Sequence, residues 1–190
     1  MTAKRSSDWS PCVALLRGVN VGGNNLIKMS DLKVSVESLG FADVSTYINS
    51  GNVLFRSRST DARKLEQKIE QVLERDFTVV CKVVIRTAGE IAQLVKALPQ
   101  SWTGDAEWRY NVLFLRHTID TKFVVNEFSP KPDIEQLVYV PGTLLWSARV
   151  KDVTRTAMQK LPAHKLFKEV TVRNLNTTRK LHELLQQMSA

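Results

Sequence analysis

Long hydrophobic runs and repeated cysteines are both missing from this 190-residue sequence. No apolar stretch approaches the roughly 20 residues that a membrane-spanning helix needs. The chain also turns polar at Ser6–Asp8, where a signal peptide would be apolar. The two cysteines, Cys12 and Cys81, are too few for a disulfide framework. We therefore expect a cytoplasmic protein with no membrane association and with two buried free thiols.

Catalytic and metal-binding motifs are missing as well. The three histidines, His117, His164 and His182, have neither the H-E-x-x-H spacing nor a cysteine pair beside them. Ser50 precedes a glycine but does not lie in a G-x-S-x-G nucleophile motif. The sequence thus predicts no metal and no cofactor, and it leaves open whether the protein is an enzyme.

Positive charge is what the sequence has in excess. Its 27 lysine and arginine residues outnumber 19 aspartate and glutamate residues, which gives a net charge of +8. Such a surface favours anionic partners, nucleotides and nucleic acids among them. A merely basic, soluble surface is the alternative, because the charges are dispersed rather than gathered in one block.

Hydrophobic patterns predict a βαββαβ unit in the first half of the chain. A buried strand at residues 11–17 precedes a glycine-rich loop and a helix that Ser30 caps. Two further strands flank the turn Asn49–Asn52, a strong hairpin signal. A helix over Thr60–Arg75, capped by its first residue, and a strand at residues 77–87 complete the pattern.

A linking helix at residues 88–97 and a polar connector lead into the same order of elements again. The second half is predicted to contain strands at 111–116, 135–140, 143–150 and 169–173, helices at 118–128 and 153–161, and a closing helix at 177–188. We therefore expect an α+β fold of two ferredoxin-like βαββαβ subdomains, related by internal duplication, with antiparallel sheets and a C-terminal helix. The predicted divisions are a disordered tail at 1–10, a first subdomain with its linking helix at 11–98, a connector at 99–110 and a second subdomain with the C-terminal helix at 111–190.

The stretch LLRGVNVGGNN, residues 15–25, contains the first candidate site. Glycine-rich loops between a strand and a helix bind phosphate through converging backbone N–H groups. This loop fits neither the G-x-x-x-x-G-K-[ST] nor the G-x-G-x-x-G pattern. The alternative is that its glycines only take positive φ and its asparagine amides hold the turns. Connectivity places the loop and the turn at residues 49–52 at one end of the sheet, so we expect them to be neighbours.

Arg17 strengthens the interpretation as an anion site, because a cation at the end of an apolar strand must reach solvent or an anion. A second segment, residues 171–180, ends a strand at Arg173 and begins a helix capped by Asn174, Asn176 or Thr177. The candidate ligand-binding residues are Arg17, Gly18, Asn20, Gly22, Gly23, Lys28, Tyr47, Ser50, Gly51, Asn52, Arg173, Asn174 and Asn176.

The predicted ligand is the phosphate of a nucleotide or nucleic acid. One alternative is an enzyme that acts on a small phosphorylated or carboxylated metabolite with the same loops, and another is a structural or protein-interaction module. Base stacking on the sheet, as in RNA-recognition motifs, is disfavoured because the first strand has no aromatic residue. Tyr47 could stack on a base or simply cover the sheet. The sequence makes no prediction of oligomeric state.

Three stretches together resemble the family called domain of unknown function 1697. They are ALLRGVNVGGNNLIKMSDL (14–32), LGFADVSTYINSGNVLFRS (39–57) and VTVRNLNTTRKLHEL (170–184). The resemblance implies ferredoxin-like subdomains in a cytosolic, mostly bacterial protein with no established activity. It marks the same residues as the candidate site, with Thr177 in addition and without Lys28. Leu175 stands where the family usually has tryptophan.

Overall fold

The structure, a computed structural model, describes residues 9–189. The predicted tail lies outside these residues apart from its last two, and Ser10 already belongs to the first strand. The first half contains β1 (Ser10–Leu16), α1 (Met29–Glu37), β2 (Ala42–Tyr47), β3 (Asn52–Ser57), α2 (Ala62–Phe77), β4 (Val83–Thr87) and α3 (Ala88–Lys96). The second half contains β5 (Trp108–Leu115), α4 (Val124–Glu127), β6 (Glu135–Val140), β7 (Thr143–Arg149), β8 (Val170–Asn174) and α5 (Leu175–Ser189).

The strands form two four-stranded antiparallel sheets with the same order. The first is β2-β3-β1-β4 and the second is β6-β7-β5-β8. This is the ferredoxin-like arrangement, so the predicted fold is confirmed. The two halves also match in backbone detail. The N–H of Leu16 donates to the Gly51 carbonyl (2.8 Å), and that of Leu115 donates to the Gly142 carbonyl (3.0 Å).

The chain divides into two compact units. Within the described residues, the first unit comprises residues 9–91 and 181–189, and the second comprises residues 92–180, so that the divisions fall within α3 and α5. Each unit has a core on one face of its sheet. Ala14 packs with Leu32 and Ile69 of the helices in the first unit, and Leu113 packs with Trp146 in the second. Among residues 9–189, no helix is long and apolar enough to cross a membrane.

Both N-cap predictions in the first half are wrong. At the start of α1, Lys28 rather than Ser30 occupies the N-cap position, and its side chain makes no capping bond. At the start of α2, the cap is Asp61 rather than Thr60, and its carboxylate accepts from the N–H of Lys64 (3.2 Å). A carboxylate satisfies the free N–H groups and the positive end of the helix dipole together, which favours aspartate over the neighbouring threonine.

Two predicted elements are shorter than expected. The strand predicted at 77–87 is reduced to β4, because α2 continues to Phe77 and Thr78 ends it in the left-handed conformation (φ 57°). The helix predicted at 118–128 is reduced to the single turn of α4. Helical and extended patterns overlap in these short apolar runs, so periodicity alone does not place their ends.

The helix predicted at residues 153–161 is wrong. The chain there forms three short 3-10 segments, Val150–Arg155, Ala157–Ala163 and Lys165–Glu169. Pro162 has no N–H to donate within a helix. The hydroxyl of Thr156 donates to the Val153 carbonyl (2.7 Å) and so competes with helical hydrogen bonding.

Candidate functional site

The glycine-rich loop is a miniature hairpin beyond the end of β1. The N–H of Asn24 donates to the Val21 carbonyl (3.1 Å), and these two residues form an isolated bridge. Gly22 and Gly23 lie at the tip with φ of 60° and 79°, the values that a two-residue type I′ turn requires. Gly18 also has positive φ (68°), so the predicted positive φ is confirmed for all three glycines.

Asparagine side chains hold the loop in this shape. The side-chain oxygen of Asn20 accepts from the N–H of Ile27 (2.8 Å), and its Nδ2 donates to the carbonyls of Ile27 (2.8 Å) and Asn49 (2.9 Å). Nδ2 of Asn25 donates to the Gly18 carbonyl (3.1 Å). The bond to Asn49 joins the loop to the hairpin turn, so their predicted adjacency is confirmed. Asn20 thus positions the loop with both of its amide hydrogens.

The turn at residues 49–52 is closely packed against β1. A Cβ on Gly51 would lie 2.7 Å from Cβ of Leu16, so glycine is required there for space as well as for its φ of 71°. Asn52 is fully buried, and its Nδ2 donates to the Tyr47 carbonyl (3.0 Å) and to Oγ of Ser50 (3.2 Å). These side chains fix the conformation of the turn, and Tyr47 is half-buried at the end of β2.

Two cations occupy opposing positions where β1 ends and β4 begins. Leu16 pairs with Val83 in the sheet, so Arg17 and Lys82 are the next pair along the strands. The N–H of Arg17 donates to the Lys82 carbonyl (3.0 Å). Arg17 is half-buried and Lys82 is exposed, with its Nζ 3.5 Å from Oε2 of Glu70.

The equivalent position of the second unit keeps the arginine but has an acid in place of the lysine. Leu115 pairs with Val170, so Arg116 and Glu169 are the next pair. The N–H of Arg116 donates to the Glu169 carbonyl (3.0 Å), as in the first unit. Here, however, the side chains form an ion pair with Nε and Oε2 3.4 Å apart. The same backbone contact therefore joins an arginine to an acid in one unit and to a lysine in the other.

Lys28 and Cys81 lie at the same end of the first sheet. Lys28 is exposed immediately before α1. Cys81 is buried, and burial raises the pKa of its thiol to about 11, with Glu70 acting in the same direction and Arg17 against it. The thiol is therefore protonated at neutral pH and is not an activated nucleophile.

The candidates of the second segment belong to the second unit, where Arg173 is buried in β8. Its Nη1 donates to Oγ1 of Thr171 (2.9 Å) and to the Val172 carbonyl (2.8 Å). Burial lowers the pKa of this guanidinium to about 10, which leaves it charged at neutral pH. Asn174 is the residue that caps α5, since its Oδ1 accepts from the N–H of Thr177 (2.7 Å).

A cavity of about 490 Å³ opens beside the start of α5. Asn174 and Asn176 line it together with Trp108 and Arg109 from the start of β5. Asp105 also lines it, but this carboxylate holds the local turn and accepts from the N–H of Trp108 (3.1 Å). Sequence reasoning missed the tryptophan and the arginine. The signal that could have found them is the pairing of aromatic residues with a cation in EWRY, at the end of the polar connector.

The fold and these loops define an α+β protein built from two similar ferredoxin-like units. A family model described as "Protein of unknown function (DUF1697)" matches residues 10–146, and the chain belongs to this family. The resemblance found in the sequence is thereby confirmed. The solved structure of the conserved bacterial protein SP0830 from Streptococcus pneumoniae is similar, with 26% sequence identity and a TM-score of 0.82 over 93% of this chain and 99% of that chain. A comparison with curated proteins gave no match.

Proposed function

We propose that this protein binds the phosphate groups of a nucleic-acid backbone or a nucleotide through the loop at residues 18–25, the turn at residues 49–52 and the cations beside them. The observation that supports this most is the reversal of charge between the two units. Where the second unit has the Arg116–Glu169 ion pair, the first has Arg17 opposite Lys82. Like charges directly opposite each other destabilise a sheet. Glu70 pairs with Lys82 at the side of this position, and a phosphate bound beside Arg17 and Lys82 adds a second anion to the cationic end of the sheet.

The rigidity of the loop supports the same proposal. Because Asn20 ties the loop to both Ile27 and Asn49, little conformational entropy is lost when a ligand binds. The tip is open, since a Cβ on Gly23 would meet no atom within 4 Å. An open tip suits an extended polymer backbone better than a small metabolite, which needs an enclosing pocket. Among the alternatives, nucleic acid is therefore favoured over a small-molecule enzyme.

The cavity at the start of α5 provides a second contact of the same kind. The N-terminus of a helix attracts phosphate through its free N–H groups and its dipole. Arg109 supplies a cation there, and Trp108 supplies an aromatic ring, which the guanidinium of Arg149 also approaches to 5.6 Å from its centroid. The net charge of +8 adds long-range attraction to both contacts.

A charge-reversal variant tests the proposal. Binding of labelled single-stranded RNA and DNA is measured by fluorescence anisotropy, and affinity should fall steeply as salt rises from roughly 50 to 200 mM. Lys82→Glu recreates the charge pattern of the second unit. We expect it to weaken binding by roughly tenfold or more and to lower thermal stability only slightly, because the Lys82–Glu70 pair that it removes is exposed at the lysine.

Lys151→Glu is the matched control, because it changes the net charge equally at an exposed position of the second unit. We expect it to weaken binding much less than Lys82→Glu. Equal losses in the two variants would show that binding follows overall charge and has no site at Lys82. The proposal is wrong if neither RNA, DNA nor any mononucleotide binds at low salt.

A protein-interaction role is a second candidate, favoured by exposed apolar side chains around the loop and turn. Val21, Leu26 and Ile48 are 57%, 75% and 48% exposed. Self-association through them would appear in sedimentation as a concentration-dependent dimer that Leu26→Ser abolishes without affecting nucleic-acid binding. A chain that stays monomeric at all concentrations would exclude self-association.

A further inference from the structure

A second cavity of about 490 Å³ lies at the opposite end of the first sheet from the glycine-rich loop. It opens near the start of β1, between the α1–β2 and β3–α2 connections. Its volume falls within the range of small-molecule sites, roughly 300–1,000 Å³. All the residues that line it belong to the first unit.

One wall of this cavity is apolar and rigid. Leu39, Phe41 and Leu65 line it. The ring of Phe41 stacks on that of Phe55 with centroids 4.4 Å apart and planes at 22°, which fixes its orientation. Leu65 is 1% exposed and belongs to the core of the unit. A flat aromatic or aliphatic group of a ligand can pack against this wall.

The rest of the rim is cationic. Arg58, Lys64 and Lys68 line the cavity, and no aspartate or glutamate is among its described lining residues. Lys64 and Lys68 are four residues apart on α2 and so lie on one face of the helix, where like charges repel. Nζ of Lys64 is 3.5 Å from Oδ2 of Asp61, an exposed pair that leaves the rim positive overall.

Two hydroxyl groups and one aromatic ring complete the rim. Oγ of Ser57 accepts from the N–H of Ser59 (3.1 Å), and Oγ of Ser59 accepts from the N–H of Asp61 (3.2 Å). A hydroxyl that accepts in this way still has an O–H to donate to an anion. The guanidinium of Arg58 lies 4.9 Å from the ring centroid of Trp9, which holds the cation at the mouth of the cavity.

We propose that this cavity binds a small aromatic anion. Its ring packs against Leu39 and Phe41, and its phosphate or carboxylate group lies among Arg58, Lys64 and Lys68. This site is separate from the proposed nucleic-acid contact, because the two lie at opposite ends of the first sheet.

Calorimetric titration of the full chain tests the proposal with four probes. Adenosine monophosphate and 2-naphthoate each carry a ring and an anionic group, and they distinguish a phosphate from a carboxylate ligand. Adenosine lacks the charge and inorganic phosphate lacks the ring. In Lys82→Glu, where the proposed phosphate contact of the loop is disabled, we expect at least one ring-bearing anion to bind with one molecule per chain, and adenosine and phosphate to bind roughly tenfold more weakly or not at all.

Two substitutions in α2 test whether the ligand binds in this cavity. Lys68→Ala should weaken binding of the ring-bearing anion by roughly tenfold, as expected for the loss of one charge-assisted contact. It should not lower the melting temperature, because it removes a repulsion. Arg63→Ala is the matched control: Arg63 is exposed on the same helix and does not line the cavity, so affinity should not change. Lys82→Glu should also leave this binding unchanged.

Three results would overturn the proposal. The first is that neither ring-bearing anion binds. The second is that inorganic phosphate binds as tightly as both of them, and the third is that Arg63→Ala weakens binding as much as Lys68→Ala does. Lys82→Glu changes only the other end of the sheet. A result against the cavity can therefore be told apart from a result against the proposed nucleic-acid contact.

Discussion

Arg86 and Arg173 occupy equivalent positions in the two sheets and make the same hydrogen bond. Arg86 pairs with Val13 in β1, and Arg173 pairs with Val112 in β5. Each donates from Nη1 to the carbonyl of the preceding residue, at 2.7 Å and 2.8 Å respectively. Their exposed fractions are 8% and 7%. The two units therefore share a buried arginine as well as the strand order. They differ at one equivalent position, which is Lys82 in the first unit and Glu169 in the second.

Asn20 is expected to stabilise the loop. Replacing Asn20 with alanine removes three hydrogen bonds and leaves the N–H of Ile27 without its acceptor. We expect the free energy of unfolding to fall by about 1–3 kcal/mol, as measured by chemical denaturation. Asn24→Ala at the exposed tip is the control and should change it by less than about 0.5 kcal/mol. Equal effects would mean that Asn20 does not hold the loop.

Gly51 should tolerate a side chain less well than Gly23. Both have positive φ, 71° and 79°, so alanine costs about 1–2 kcal/mol at either position. Only at Gly51 does the new Cβ meet another atom, Cβ of Leu16 at 2.7 Å. We expect Gly51→Ala to lower the free energy of unfolding by about 1–3 kcal/mol more than Gly23→Ala. A smaller loss for Gly51→Ala than for Gly23→Ala would rule out the steric explanation.

Glu66 should stabilise the edge strand of the first sheet. Glu66 is 1% exposed on α2, and its Oε1 accepts from the N–H of Ile85 in the edge strand β4 (3.3 Å). Glu66→Ala leaves that N–H unsatisfied and should cost about 1–3 kcal/mol. Glu66→Gln keeps a carbonyl acceptor and should cost less. Amide hydrogen exchange at Ile85 should accelerate in the alanine variant only, and equal acceleration in both would count against this role.

The two thiols should make stability fall at alkaline pH. Burial raises the pKa of Cys12 and of Cys81 from 9.0 to about 11. The folded state therefore holds protons that the unfolded state releases, so this stability is complete below about pH 9 and is lost as pH rises towards about 11. Each thiol contributes a slope of at most about 1.4 kcal/mol per pH unit.

Chemical denaturation between these pH values checks this expectation. The double variant Cys12→Ala, Cys81→Ala should show a shallower dependence of unfolding free energy on pH, whatever its absolute stability. An identical slope in the variant and the natural chain would show that the thiols do not contribute.

The order of elements could be predicted because each strand and long helix has its own periodicity. The strand at Glu135–Val140 has the predicted bounds, since Pro141–Gly142 separates it from its neighbour. Residues 150–169 could not be predicted, because side-chain hydrogen bonds such as that of Thr156 decide between α and 3-10 geometry. Local sequence does not encode that competition.

A candidate site could be predicted from the sequence only where the order of strands and helices is enough to bring its loops together. The loop and the turn meet because of the βαββαβ order, and Asn20 confirms it. The pairing of Arg17 with Lys82 depends on strand register, which the sequence leaves open. The cation-rich cavity needs Arg58 and Lys68 from different elements, and no sequence motif joins them.

The proposed phosphate contact of the first unit is tested most directly by locating the residues that nucleic acid touches. In backbone NMR spectra of the full chain, titration with single-stranded nucleic acid at low salt should shift the amide signals of residues 17–25, 49–52 and 82. Lys82→Glu should abolish these shifts while the rest of the spectrum stays the same. Shifts confined to other surfaces, or shifts that persist in Lys82→Glu, would contradict the proposed phosphate contact.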